Sequence, residues 1–266
     1  LGALGNGNIT PYTFIPAMGL GTSAVIINGR FPNYLQAPPV VPDGISWEKS
    51  TTLNFGVDLT VLRNRLSITA DVFERKTTDM ITPGPPLPAV FGAAVPRGNF
   101  ADLTTKGWEV SVTWQDKIGT TKPFTYSLRA TLADNYAIIT KYYNPNKLLS
   151  TYYEGQRVGD IWGFETAGFF TSAVDIANHA DQSYFVVSNQ NKLLPGDIKF
   201  RDLNKDGKVN IGKNTFDDPG DQRIIGNSAI RLPYAFTADM SWNNFSLFVF
   251  FQGIGKRDWF PSREAS

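Results

Sequence analysis

The chain has 266 residues and a formal net charge of +1, with 25 Lys and Arg against 24 Asp and Glu, so nothing in its charge steers it toward nucleic acid or an acidic partner. It has no cysteine, which excludes a disulfide scaffold, a thiolate metal site and a cysteine nucleophile. Its one histidine, His179, excludes a histidine metal cluster; a Ser-His-Asp triad would have to use it, and no nucleophile-elbow sequence accompanies it, so His179 reads as a solvated loop residue.

Residues 1–46 are rich in Gly, Pro and Asn and read as irregular, with one strand expected near "SAVIING" (23–29). The opening "LGALGNGNIT" has neither the basic start nor the apolar core of a signal peptide and no initiator Met, so the chain reads as cut from a longer one. No run of 18 apolar residues offers a membrane-spanning helix.

From residue 51 the pattern changes. In "TTLNFGVDLTVL" (51–62), Leu53, Phe55, Val57, Leu59 and Val61 alternate with Asn54, Gly56, Asp58 and Thr60. A period of two marks a strand with one apolar and one polar face. "RNR" (63–65) predicts a tight turn, and "LSITADVFERKT" (66–77) resumes the alternation. "KGWEVSVTWQ" (106–115) and "PFTYSLRATLADN" (123–135) repeat it. Near the end, "YAFTADMSW" (234–242) and "FSLFVFFQG" (245–253) flank Asn243-Asn244, which predicts a type I′ hairpin. Short connections at 63–65, 116–122 and 243–244 alternate with long ones at 78–105 and 136–233.

Strands of this length suit a bilayer. A tilted strand crosses the hydrocarbon with about 9–11 residues, and such strands must close into a barrel so that no backbone edge faces lipid. Outer-membrane barrels combine short periplasmic turns with long extracellular loops. Trp108, Trp114, Trp242 and Phe245 lie near strand ends, where aromatic girdles form. Asp58, Asp71, Glu109, Arg129 and Asp239 share the opposite face, where charge is tolerated toward a wet bore. A large soluble barrel or sandwich with one solvated face is the competing reading.

Several segments resemble the C-terminal barrel of SusC/RagA-type TonB-dependent outer-membrane transporters of Bacteroidetes. They are "GNGNITPYTF" (5–14), "WEKSTTLNFGVDLTVLRNRLSITADVFERKTTDMI" (47–81), "GWEVSVTW", "GDIWGFETAGFF" (159–170), "PGDIKFRDLNKDGKV", "RIIGNS" (223–228) and "FFQGIGKRD" (250–258), in the family's order. The resemblance implies an all-β, antiparallel transmembrane barrel of about 22 strands, of which residues 1–266 form a C-terminal part. The plug domain, the TonB box and the last strands are missing from it. It also implies a cell outer-membrane location, no enzymatic activity, and active import of an oligosaccharide or peptide. The implied partners are a SusD-like surface lipoprotein, outer-membrane lipid, and TonB acting through the missing N-terminal segments. Nucleic acid is not among them. The alternative is a calcium-stabilised extracellular β-domain that binds glycans without transport.

"RDLNKDGKVN" carries the D-x-N-x-D-G spacing of a calcium loop. Asp202, Asn204, Asp206, the Lys208 carbonyl and Asn210 fall at loop positions 1, 3, 5, 7 and 9, as candidate ligands for a structural calcium or magnesium ion. Position 12 is Lys213 where a bidentate carboxylate belongs, leaving Asp217, Asp218 or Asp221 to fold back and supply it. The same spacing also builds an Asx turn satisfied by its own backbone. In either form the loop is expected to stiffen a long extracellular connection. Tyr152, Tyr153, Trp162 and Phe164 are candidates to stack on sugar rings, against which stands simple loop packing. The carboxylate pair Asp58 and Asp71 carries no spacing evidence for glycosidase chemistry.

Overall fold

A computed structural model describes residues 2–4, 18–36, 40, 44–88, 90, 95–186 and 192–260. The segment 5–14, one of those that carry the family resemblance, lies outside the described residues. The principal element is one antiparallel sheet. Its strands are β1 (Gly2–Leu4), β4 (Glu48–Val61), β5 (Leu66–Pro83), β6 (Arg97–Ile118), β7 (Phe124–Lys141), β12 (Arg231–Trp242) and β13 (Phe245–Lys256), paired in that order. The sheet is part of a barrel wall and, among the described residues, does not close on itself.

The alternation read from sequence becomes two continuous faces. Phe55, Val72 and Trp108 are register partners across three strands; so are Leu59, Ile68, Val112 and Ala130 across four, continuing into Phe236 and Phe251. This apolar face is uncovered: Leu53 is 77% exposed and Phe55 70%. The opposite face carries Asp58 beside Thr69, Asp71 beside Glu109, Arg129 beside Thr113, and Asp239 beside Ser127.

Strands run longer than the periodicity predicts. β5 has 18 residues, β6 22 and β7 18. At about 3.3 Å per residue β6 is roughly 73 Å long, far more than a hydrocarbon core of about 30 Å requires. The connection expected over 78–105 therefore shrinks to 84–96, because both strands continue past it. Alternation fails there for a physical reason. There "ERKTTD" (74–79) keeps the strand through its backbone ladder, with charged or hydroxyl side chains on both faces and no apolar row to show the period.

The short turns lie together at one end of the sheet. Leu62, Arg63 and Asn64 take left-handed backbone (φ 54°, 55° and 64°) between β4 and β5. At the Asn243-Asn244 turn only Asn243 does so (φ 56°), a departure from the type I′ expectation, in which both residues do. The strand expected over 23–29 is instead the tip of a hairpin formed by β2 (Leu20–Thr22) and β3 (Asn33–Leu35).

At the other end, the described residues between 142 and 230 fold into a lobe. It contains β8 (Asp160–Phe164) paired with β11 (Gln222–Asn227), and β9 (Thr166–Phe169) paired with β10 (Ile198–Phe200). It also holds a short helix, α1 (Ala173–Ala177), and a 3-10 turn at Ser183–Phe185. Here the protein has a core: Val209, Phe170 and Tyr153 are buried. Phe164 packs on Phe185 at 4.7 Å and on Phe200 at 5.5 Å between ring centres. Among the described residues no helix is long and apolar enough to cross a membrane.

Candidate functional site

The polar face of the sheet is a continuous hydrogen-bonded surface. Its side chains tie neighbouring strands together. The Thr69 hydroxyl donates to Asp58 (2.7 Å), the Asn54 amide donates to Asp71 (2.8 Å), and the Arg129 guanidinium donates to Thr113 (3.3 Å). Each bond joins adjacent strands, so the polar rows stiffen the wall while staying wet. A concavity of about 760 Å³ opens on this face, lined by Thr69, Asp71, Glu109, Ser111, Thr131 and Gln252 among others. Asp58 and Asp71 each have a separate hydrogen-bond partner on the neighbouring strand, which suits a wall more than a reacting carboxylate pair. Phe248 and Phe250 depart from the pattern; as register partners of Asp239 and Thr237 they lie on the polar face.

In the lobe, the D-x-N-x-D-G loop folds back on itself. Asp202 accepts the Lys205 N–H (2.6 Å) and the Gly207 N–H (2.9 Å). Asn204 accepts from the Asp206 N–H (3.0 Å), and Asp206 from the Lys208 N–H (2.8 Å). Asn210 accepts from the Gly212 N–H. Of the three carboxylates considered for closing the loop, Asp221 folds back. It is fully buried and accepts from the Leu203 N–H (2.7 Å), the Asn204 N–H (3.4 Å) and the Asn210 N–H (2.8 Å). Asp218 instead lies 3.8 Å from Lys213.

Calcium takes six to eight oxygens. Among the described residues no group of three or more acidic or histidine side chains is placed to hold a metal ion. Asp202, Asn204, Asp206 and Asn210, named with the Lys208 carbonyl as candidate ligands, each accept a backbone N–H of the loop itself. The loop is docked as well as closed: the Asp181 N–H donates to the Gly207 carbonyl, and the Val209 N–H donates to the Asp181 carbonyl, both at 2.8 Å.

The four aromatic candidates divide. Tyr153 is 3% exposed and packs on Phe216 at 5.4 Å; Trp162 meets the same ring edge-on at 6.5 Å. Burial pushes the Tyr153 phenol above its ordinary pKa. Phe164 belongs to the Phe185 and Phe200 cluster. These three build the lobe. Only Tyr152 keeps an exposed ring, half open to solvent and set edge-on to Tyr142 at 5.7 Å. His179 is not a solvated loop residue. One ring nitrogen lies 2.8 Å from the Phe200 carbonyl and the ring packs edge-on to Phe170. The spacing of these residues in sequence carried no signal of such packing.

A wall of long, two-faced antiparallel strands with a folded lobe at the long-loop end corresponds to a known family, "TonB dependent receptor-like, beta-barrel", which matches residues 12–192. The chain belongs to this TonB-dependent receptor barrel family. Among curated members, TonB-dependent receptor P3 of Formosa agariphila is 24% identical over 264 residues, covering 94% of this chain and 24% of that protein. TonB-dependent receptor SusC of Bacteroides thetaiotaomicron is 28% identical over 210 residues, covering 78% of this chain and 19% of that protein. The chain thus spans about a quarter or less of the barrel-family relatives it matches. Among solved structures, the RagAB peptide importer in its open-open state superposes with a TM-score of 0.64 at 19% identity, covering 94% of this chain and 24% of that one. That likeness shows a shared fold.

Proposed function

We propose that this chain forms part of the wall and the outer lobe of an outer-membrane, TonB-dependent importer. The imported nutrient is an oligosaccharide or a peptide, too large to enter by simple diffusion. The observation that carries this reading is the pair of faces: large apolar side chains left uncovered along one, hydrogen-bonded polar rows along the other. In water the first face is unfavourable by about 25 cal/mol for each Å² exposed. Against lipid tails it is the lower-energy arrangement, and the polar face then lines a wet bore.

In this reading the wall performs no bond chemistry. It supplies a fixed passage, while the lobe holds its shape above the bore to meet a SusD-like surface lipoprotein. TonB acts through segments outside this sequence. The loop at 202–210 serves as a clip that keeps the lobe rigid, and its own backbone bonds suffice for that role. The glycan-binding module without transport gains no support from the wall, because such a module has no use for an uncovered apolar face.

The test uses the full-length protein. It is expected in the outer-membrane fraction, soluble only with detergent, and deletion of its gene is expected to abolish growth on one class of oligosaccharide or peptide. A full-length protein that stays in the aqueous phase without detergent refutes the importer.

A further inference from the structure

Where the apolar face of the wall stops, the strands change chemistry abruptly. On β5 the last outward apolar residue is Val72, and on β6 it is Trp108, its register partner. The next outward positions toward the lobe are Glu74 and Lys106, also partners; beyond Glu74 comes Lys76. One step of two residues along a strand is about 6.6 Å. The Lys106 ammonium lies 3.0 Å from one Glu74 oxygen and the Lys76 ammonium 3.2 Å from the other. Tyr136 of β7 faces Lys106 in register, and the Arg157 guanidinium sits 4.7 Å over the Tyr136 ring.

We propose that Lys76, Lys106 and Arg157 form a binding site for the phosphate group of a lipid headgroup in the outer leaflet. The inference rests on the lipid-facing reading of the apolar face. Three cations stand around Glu74, while the neighbouring carboxylate on this face, Asp134 beside Trp108, is already taken by Arg231. An ammonium has three N–H donors, and each lysine directs one toward Glu74, so donors remain on both for phosphate oxygens. Arg157 is held by its ring, which leaves the edges of its guanidinium free for a forked contact. Both lysines are at least half exposed, so the site is open to a ligand from the side.

Position selects the occupant. A lipid whose tails lie along Val72 and Trp108 carries its headgroup to this height, so one molecule meets both surfaces. A soluble anion would gain the charge contact alone. Glu74 keeps the two ammoniums apart and in place when the site is empty, and it competes with the phosphate when the site fills.

The experiment uses the full-length protein in phosphatidylcholine nanodiscs, titrated with diphosphorylated lipid A or with the same lipid stripped of its phosphates. Bound lipid is counted by native mass spectrometry. The wild type is expected to prefer the phosphorylated lipid by about tenfold, given two or three cations near a membrane surface. The double variant Lys76→Gln, Lys106→Gln is expected to lose the preference, and Glu74→Gln to strengthen it. Lys117→Gln, at the short-turn end, is expected to leave it unchanged. Equal binding of both lipids by the wild type overturns the inference, as does a preference that survives in the double variant or weakens in Glu74→Gln. Inorganic phosphate that displaces the lipid at equal concentration overturns the assignment to a lipid. Insertion into the nanodisc is scored separately, so a protein that inserts without lipid preference refutes this site and leaves the importer standing.

Discussion

Phe55 on the wall and Phe170 in the lobe are the same side chain under opposite rules. Phe55 is 70% exposed among other exposed apolar residues, whereas Phe170 is 2% exposed, with His179 edge-on and the Lys199 ammonium 5.7 Å over its ring. The wall is held by its backbone ladder and lets its rings face outward; the lobe is held by rings packed inward and by carboxylates that collect backbone N–H groups. The medium on each side explains the difference. Lipid tails are as apolar as the residues they touch, so packing against a core gains nothing on the wall. In the lobe water surrounds the chain, and burial supplies the driving force.

If the two regions are stabilised separately, each has a substitution that damages it alone. Phe170→Ala is expected to destabilise the lobe by about 3–5 kcal/mol, the range for removing a buried aromatic ring. Limited proteolysis should then cut within 142–230 while the barrel still resists unfolding in cold detergent. Loss of both regions together would show that the lobe and wall fold as one unit. Val57→Arg is the counterpart on the outward face, where Val57 is 52% exposed. An arginine near the bilayer midplane costs about 2–4 kcal/mol, so assembly of the wall is expected to fail, as read by loss of the heat-modifiable band on a gel. The neighbouring Asp58→Asn, on the polar face, should assemble normally. Equal assembly of the two variants would remove the case for lipid on the outward face.

A smaller effect tests what holds the lobe's clip. Asp221→Ala leaves the Leu203, Asn204 and Asn210 N–H groups without their acceptor in a buried position. An unsatisfied buried donor costs about 1–3 kcal/mol. Hydrogen exchange across 202–210 is expected to accelerate, with the wall unaffected. Treatment of the wild type with a calcium chelator is expected to leave exchange in this loop unchanged. Acceleration by the chelator would assign the clip to a cation.

The wall was legible in sequence where one face meets lipid and the other water. Leu53 to Val61 alternate because a strand turns every second side chain to the same face, and that pairing survives in the structure residue for residue against Leu66 to Glu74. The outer ends of the strands were not legible, since residues such as Thr77 and Thr78 put hydroxyls on both faces and leave no apolar period to read. The lobe was legible only as a long connection. Its strands are three to six residues long, and their partners are far apart in sequence, as with Asp160 and Asn227. Asp202, Asn204 and Asp206 were visible because calcium loops and Asx turns share a spacing. The role of Asp221 was one of three possibilities until the fold brought it under the loop.

Acid separates the two regions most gently. The Lys199 ammonium, 2.6 Å from Asp175, and the Thr171 N–H hold the Asp175 carboxyl below the usual 3.8. The N–H and hydroxyl of Ser183 hold Asp181 below it as well. Each carboxyl therefore contributes stability that is complete well above its unfolded value and is lost as the pH falls past that value toward the lower, folded one. Both lie in the lobe, Asp175 in α1 and half-buried, Asp181 beside the 3-10 turn and exposed, and water reaches both, so the effect is small. Mild acidification to just below pH 4 is expected to raise exchange or proteolysis around 171–185 before the wall responds. The polar rows of the wall lose less, because bonds such as Thr69 to Asp58 supplement a continuous backbone ladder that acid does not touch. If the wall loosens first, the ion pair between Lys199 and Asp175 is not what ties the helix to the lobe.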